Sequence, residues 1–348
     1  MATAALTIPR PDDWHLHLRD GAPMRAVVGH TAAVFGRAIV MPNLRPPVET
    51  VAQAEAYRAR ILEALPAGSR FEPLMTLYLT PRTTAEEVAR AAASPHVHGI
   101  KLYPAGATTN SDAGVADLGG IEAVLAAMEE HDLPLLVHGE SIEPGIDVFD
   151  REAVFVERQL APLCERFPRL RVVLEHITTA DAVEFVLGAP PTVAATITPQ
   201  HLLLDRNALF DGGIRPHHWC LPVLKRRRHR EALLRAVASG SPKLFLGTDS
   251  APHEVGTKHA ACGCAGIFSA PLALPLYAEA FEEAGALHAL EGFASRHGPA
   301  FYRLPVATET VTLRREPWSV SASYPFGEGH VVPLRAGGTV AWRVESAP

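Results

Sequence analysis

The chain has 348 residues, 47% of them hydrophobic, and a formal net charge of −6. That is enough apolar material for one large core, and the mildly acidic balance gives no reason to expect nucleic acid or an anionic membrane as a partner. No apolar run approaches the ~18 residues of a membrane helix, the first residues (MATAALTIPRPDDW) lack the basic-then-apolar pattern of a secretory signal, and four cysteines in this length make no disulfide framework, so a cytoplasmic protein is the expectation.

Eight short apolar runs read as strands: 14–18, 38–41, 74–79, 99–103, 133–138, 172–177, 193–198 and 244–248. They are rich in Val, Ile and Leu and mostly apolar on both faces, the pattern of buried parallel strands. Helical patterns lie between them. Ile121, Val124, Leu125 and Met128 recur at helical spacing, and so do Ala153, Val156, Leu160, Leu163 and Phe167, where Pro162 is expected to kink the helix. Eight strands with intervening helices predict an α/β fold, a closed (β/α)₈ TIM barrel over residues 1–305. Beyond it, 310–313, 331–334 and 339–344 read as short β segments, so 306–348 is expected to be a C-terminal extension packed on the barrel. No G-x-G-x-x-G follows the first strand and there is no P-loop, which argues against a dinucleotide or nucleoside triphosphate site.

Titratable side chains gather at the ends of the predicted strands. His15 and His17 stand two apart on the first, so their imidazoles face one side. Such a pair suits a zinc ion, or equally a hydrogen-bonded structural pair. Lys101 lies on the fourth strand, and His138, His176 and Asp249 end the fifth, sixth and eighth. Active sites of this fold sit at the C-terminal ends of the strands, and ionisable groups buried there are costly unless paired or metal-bound. Six ligands suggest two metals with a shared hydroxide. Lysine ligates poorly as an ammonium, but as a carbamate formed with CO₂ it becomes a bridging anion. Arginine cannot form this adduct, and only four of the 32 basic residues are lysine: Lys101, Lys225, Lys243 and Lys258.

The order H-x-H, Lys, His, His, Asp on successive strands resembles the amidohydrolase superfamily. The words DDWHLHLRDG, GRAIVMPNL, KLYPAGATTN, LLVHGE, EHITT, TITPQHL, LGTDSAPH and CGCAG resemble the short bacterial-type dihydroorotases, from about residue 8 to about residue 305. The resemblance implies two Zn²⁺ per subunit. His15, His17 and Asp249 would hold one, His138 and His176 the other, and carboxylated Lys101 (N6-carboxylysine) would bridge them. It implies a clamp for the substrate α-carboxylate from Arg19, Asn43 and His253, and ring contacts from the backbone of Leu221 and Ala265. Asp249 would be the catalytic acid–base, and a loop over 105–114 would close on substrate with Thr108 and Thr109. Arg19 is expected to share the side of His17 if the strand continues. The implied reaction interconverts N-carbamoyl-L-aspartate and L-dihydroorotate, in a homodimer.

Other features carry less. Cys262 and Cys264 are read as free thiols, and the basic run 225–230 as a solvated helix start. His30, His131 and His229 are read as surface residues, and His201 is given no chemical role. Three rivals are a hydantoinase- or allantoinase-like enzyme, a catalytically dead scaffold and a phosphate-handling barrel. Respectively, they conflict with the carboxylate clamp, the complete ligand set and the lack of a glycine-rich anion loop.

Overall fold

The computed structural model describes residues 5–261 and 263–345. After β1 (Ala5–Pro9), eight strands form one parallel sheet in chain order: β2 (Asp13–Leu16), β3 (Arg37–Val40), β4 (Glu72–Tyr78), β5 (Val97–Leu102), β6 (Leu135–His138), β7 (Val172–Glu175), β8 (Val193–Ile197) and β9 (Leu244–Leu246). The last strand meets the first. Leu16 bridges Ser250 in parallel, and Asp249 N donates to His15 O at 2.9 Å. Asp13 fastens this seam, its carboxylate accepting from Thr248 N at 2.8 Å, Thr248 Oγ1 at 2.6 Å and His15 N at 3.2 Å. The sheet is therefore a (β/α)₈ barrel, as the alternating runs predict.

Large side chains fill the barrel, among them Trp14, Leu74, Leu136, Val173 and Phe245. The helix His297–Tyr302 plugs the end of the barrel away from the C-terminal ends of the strands, with Tyr302 stacked on Trp14 at 4.4 Å between ring centroids. Gly298 permits that approach, since a Cβ there would meet Trp14 Nε1 at 1.9 Å.

Several strands stop short of the apolar runs. The run 14–18 leaves the sheet after Leu16, 172–177 after Glu175 and 244–248 after Leu246. The chain turns there through left-handed residues: Arg19 (φ 65°), His176 (φ 45°) and Asp249 (φ 43°). A left-handed conformation is costly for side chains of this kind and clusters at functional sites. The first strand thus does not continue to Arg19, which reaches the barrel mouth through a turn. The expected kink at Pro162 takes the form of a π-helical turn, Val156–Leu160, between the α-helices Arg151–Phe155 and Ala161–Arg166. Proline has no N–H for the carbonyl four residues back, and a wider turn accommodates its ring.

The C-terminal part forms β10 (Thr310–Arg314), β11 (Trp318–Ser319), β12 (Tyr324–Phe326), β13 (Gly329–Val331), β14 (Thr339–Val340) and β15 (Arg343–Val344). β10 pairs antiparallel with β1 over five residues and with β15 on its other edge. Leu313 and Trp342 are buried in the main core. No helix among the described residues is long and apolar enough to cross a membrane.

Candidate metal centre

His15, from β2, and His17, just beyond it, turn their Nε2 atoms toward each other at 3.2 Å. Asp249 Oδ1 lies 3.4 Å from the first and 3.1 Å from the second. All three side chains are buried. His17 is fixed by an acceptor behind it, its Nδ1 facing Asn43 Oδ1 at 2.9 Å, and behind His15 the Glu175 Oε1 atom lies 2.9 Å from Nδ1 as an ion-pair contact whose angle falls outside hydrogen-bond geometry. An acceptor behind the ring takes the Nδ1 proton and leaves the Nε2 lone pair pointing at the centre, the arrangement that orients metal-ligating histidines. Two nitrogen lone pairs and a carboxylate oxygen crowded together call for a cation. The electrostatics agree. Burial opposes a charge on His15, yet Glu175 and Asp249 lift its pKa to about 9, so the centre's demand for positive charge is met by a proton on His15 that a metal ion would replace, while burial pushes His17 down to about 4. Burial alone would raise the Asp249 carboxyl, but its hydrogen bonds to the two histidines hold it well below the usual range.

A second group adjoins the first. The His176 ring lies 4.9 Å from His15 and 4.8 Å from His138, centroid to centroid. His176 Nδ1 is buried and has no hydrogen-bond partner among the described residues. That atom is costly to leave unpaired and is a free donor for a metal. Glu140 Oε2 sits 2.8 Å from His138 Nε2, which leaves the Nδ1 lone pair of His138 available. Lys101 is fully buried, and its Nζ is ion-paired with Glu175. Burial pulls the Lys101 ammonium below its ordinary pKa, with Glu175 opposing. Donor atoms of His15, His17 and Asp249 converge tightly enough for one ion, as do those of His15, Glu175 and His176. His138 is adjacent to the second set but not within it.

The remaining predicted residues surround these groups. Arg19, Asn43, Thr108, Thr109, Leu221 and Ala265 line the same cavity as the histidines and Asp249. Arg19 donates from Nε to Pro252 O at 3.0 Å, and its Nη2 lies 3.0 Å from His253 Nε2. His253 Nε2 also lies 3.0 Å from Ala265 O. One nitrogen cannot serve both partners at once. Burial, then Arg19, pushes His253 down to about 2, so the neutral ring accepts from Arg19 whenever Nε2 lacks the proton. The 105–114 loop lies across the mouth: Asn43 Nδ2 donates to Thr109 O at 3.1 Å, Thr109 Oγ1 to Ala265 O at 3.2 Å and Asn110 Nδ2 to Asn43 O at 3.0 Å. The cavity beneath has a volume of about 20 Å³, room for roughly one water. A ring-sized molecule enters only if the loop moves. Roomier clefts of ≈690 and ≈640 Å³ elsewhere gather no comparable ligating set among the described residues.

Sequence reasoning passed over Glu175, the carboxylate that ties His15 to Lys101. The signal was present: a carboxylate ending the apolar run VVLE is costly unless paired. It also passed over Tyr103, which lines the cavity with its hydroxyl buried and without a partner among the described residues. His201 has a structural task, bridging Thr198 Oγ1 at 2.7 Å and Pro222 O at 3.0 Å behind the Leu221 segment. His229 is not a surface residue; it is buried and accepts from Ala180 N at 3.0 Å. In the 225–230 run, Arg226 to Arg228 are exposed but Lys225 turns inward, its Nζ donating to Val223 O at 3.0 Å. Cys264 is a free, half-buried thiol, and Cys262 lies outside the described residues.

Comparison with known proteins agrees with this architecture. Residues 2–316 match the model of the amidohydrolase family. A dihydroorotase of Methylobacillus flagellatus is 63% identical over 343 residues, covering 99% of both chains. Among solved structures, dihydroorotase from Campylobacter jejuni superposes with a TM-score of 0.90 at 36% identity, covering 99% of this chain and 98% of its own. Dihydroorotase from Saccharomyces cerevisiae, in complex with 5-fluoroorotic acid, does so with a TM-score of 0.91 at 33% identity, covering 99% of both.

Proposed function

Because this chain belongs to the amidohydrolase family and, within it, to the dihydroorotases, a family of metal-dependent hydrolases, we propose that it interconverts N-carbamoyl-L-aspartate and L-dihydroorotate in pyrimidine biosynthesis. The observation that carries the reading is the convergence of His15, His17 and Asp249 donors beside a guanidinium, Arg19, that faces the same cavity. The donor set of nitrogen and carboxylate oxygen suits zinc, and the unpartnered Nδ1 of His176 supports a second ion next to the first. His15, His17 and Asp249 would hold one Zn²⁺ and His138 and His176 the other, with carboxylated Lys101 bridging. Two such ions supply a hydroxide near neutral pH and Lewis acidity toward a carbonyl oxygen.

The protein's own groups do the rest. Arg19 offers the planar fork that suits a carboxylate, with Asn43 and His253 on either side. For Asn43 to bind substrate, its Nδ2 must release Thr109 O, so substrate entry and opening of the 105–114 loop are one event. Backbone groups of Leu221 and Ala265 would read the pyrimidine ring. Asp249, held ionised, takes the proton of the attacking water and passes it to the leaving ring nitrogen. Ring closure runs the same path backwards, and a closed loop with Thr108 and Thr109 excludes the bulk water that would compete. Carboxylation of Lys101 requires a neutral amine, which burial favours. Glu175 is then left to hold His15 alone. The division into a barrel (1–305) and a packed extension (306–348), a cytoplasmic location and a homodimer complete the reading; the β1–β10 ladder and the burial of Trp342 support the packed extension.

The test is an assay of purified, metal-quantified protein with dihydroorotate in both directions, with hydantoin and allantoin as controls, together with the native mass of the peptide bearing Lys101. Turnover of dihydroorotate in proportion to about two metals per chain is expected. Full metal with turnover of only the neutral rings would overturn the carboxylate clamp.

A further inference from the structure

Lys258 sits in the short helix Val255–His259, and the residue is only 4% exposed. Its Nζ lies 2.8 Å from each of three backbone carbonyls: Trp219 O, Cys264 O and Gly266 O. An ammonium has three N–H donors, and all three are used. None goes to a carboxylate. Among the described residues the ionisable groups that face it are Cys220, Cys264, Arg19, His217 and His253, and no carboxylate offsets the burial of its charge. Burial accordingly pulls its pKa down to about 8. A buried charge without a counter-ion is costly, and what it secures here is the path of two backbone segments.

Those segments are the ones that flank Leu221 and Ala265. In extended chain, successive carbonyls point to opposite sides. Lys258 takes the carbonyls of Cys264 and Gly266, and the carbonyl between them, Ala265 O, faces the other way, toward His253 Nε2 at 3.0 Å and Thr109 Oγ1 at 3.2 Å. The wall is pressed tightly against the 251–253 turn: a Cβ on Gly266 would meet Ala251 O at 2.5 Å and His253 Cδ2 at 2.8 Å. Gly266 N closes the frame by donating to Trp219 O at 3.0 Å.

We propose that Lys258 is a positioning residue for substrate: its ammonium draws back the carbonyls on either side of Ala265 and so presents Ala265, with Leu221, to the substrate ring. The inference deepens the dihydroorotase reading and rests on it. Lysine is required because three converging carbonyls fit a compact ammonium and not a planar guanidinium.

The experiment compares Lys258→Met with Lys243→Met. Lys243 caps the carbonyls of Val186 and Leu187 at the end of the helix Ala180–Gly188, away from the cavity, so it reports the cost of losing a similar bracket elsewhere. KM and kcat for dihydroorotate, metal content and the Kd of 5-fluoroorotic acid are measured on each. Lys258→Met should raise KM and Kd at least about ten-fold, the size of a lost charge-assisted hydrogen bond, with kcat within about three-fold and metal content unchanged. Lys243→Met should leave KM and Kd alone. If Lys258→Met does not fold, Lys258→Arg, which keeps the charge but cannot serve all three carbonyls, should show the same rise in KM. An unchanged Kd in a folded variant, while the wild type turns over dihydroorotate, overturns the inference alone. So does a fall in kcat in step with metal loss. A wild type inert toward dihydroorotate overturns the parent reading and this inference together.

Discussion

Replacing Arg19 separates the substrate clamp from the fold. Among the described residues the Arg19 guanidinium is bonded only to Pro252 O and His253; no carboxylate pairs with it, although it faces the cavity. On the proposed reading, this half-buried cation without a carboxylate partner receives the anion that arrives with the substrate. Arg19→Met removes two charge-assisted hydrogen bonds to that anion, each worth about 1.5–3 kcal/mol, so kcat/KM for dihydroorotate should fall by roughly 10²–10⁴. Stability should barely move, because the substitution also removes an unpaired charge, and the midpoint of thermal unfolding should stay within about 2 °C. Arg19→Lys should recover only part of the loss, since an ammonium cannot make the planar two-point contact. The assay is steady-state turnover beside thermal unfolding on protein of equal metal content. A fall in kcat/KM below about five-fold, or a large drop in stability at full activity, would show that Arg19 serves the turn and not the substrate.

Four further outcomes follow from the same geometry. Asp249→Ala should lower kcat by more than ~10²-fold, and retention of a tenth of wild-type kcat would remove Asp249 as the acid–base. Glu175→Ala strands the buried Lys101 ammonium and should cost the metal-free protein about 3–5 kcal/mol in urea unfolding; a change under 1 kcal/mol would mean the pair contributes little. Thr108→Ala with Thr109→Ala should raise KM or lower kcat without altering metal content, whereas unchanged kinetics would reduce the 105–114 loop to an ordinary connection. Lys258 has a folded pKa of about 8 against 10.5 for the free side chain, so between those values the unfolded chain holds more protons. The burial penalty is complete below pH 8 and fades toward pH 10.5, so the wild type should gain on Lys258→Met by up to about 3 kcal/mol across that window; a flat difference in urea unfolding would contradict the shift.

Much of this was legible in the sequence because the relevant signals are local. Apolar runs separated by helical spacing specify the barrel, and His15, His17, His138, His176 and Asp249 stand out because titratable groups at the ends of buried strands need a reason. What escaped was non-local or lacked a residue-type signature. β1 is five residues long and gains its identity only from β10, some three hundred residues on. The left-handed turns at Arg19, His176 and Asp249 lie directly after apolar runs; Arg19 carries no turn signal, and the weak ones of His176 and Asp249 were outweighed by the runs before them, so the runs looked longer than the strands are. Glu175 stood next to a more conspicuous histidine. Lys258 was singled out only for being one of four lysines. Its partners are backbone carbonyls, which every residue has and no sequence pattern marks.

The seam where β9 meets β2 joins Thr248 to His15 across 233 residues of chain. The donors His15 and His17 leave the ribosome early, and Asp249 leaves it late. A partial chain carries one half of this donor set and gains the other only when the circle of strands can close. An ion held by His15, His17 and Asp249 would therefore act as a clasp on the last joint to form, stabilising the closed ring against opening at its one non-sequential junction. Uptake of metal would then mark the completion of the fold, and a truncated or misassembled chain would be left without the means to activate water.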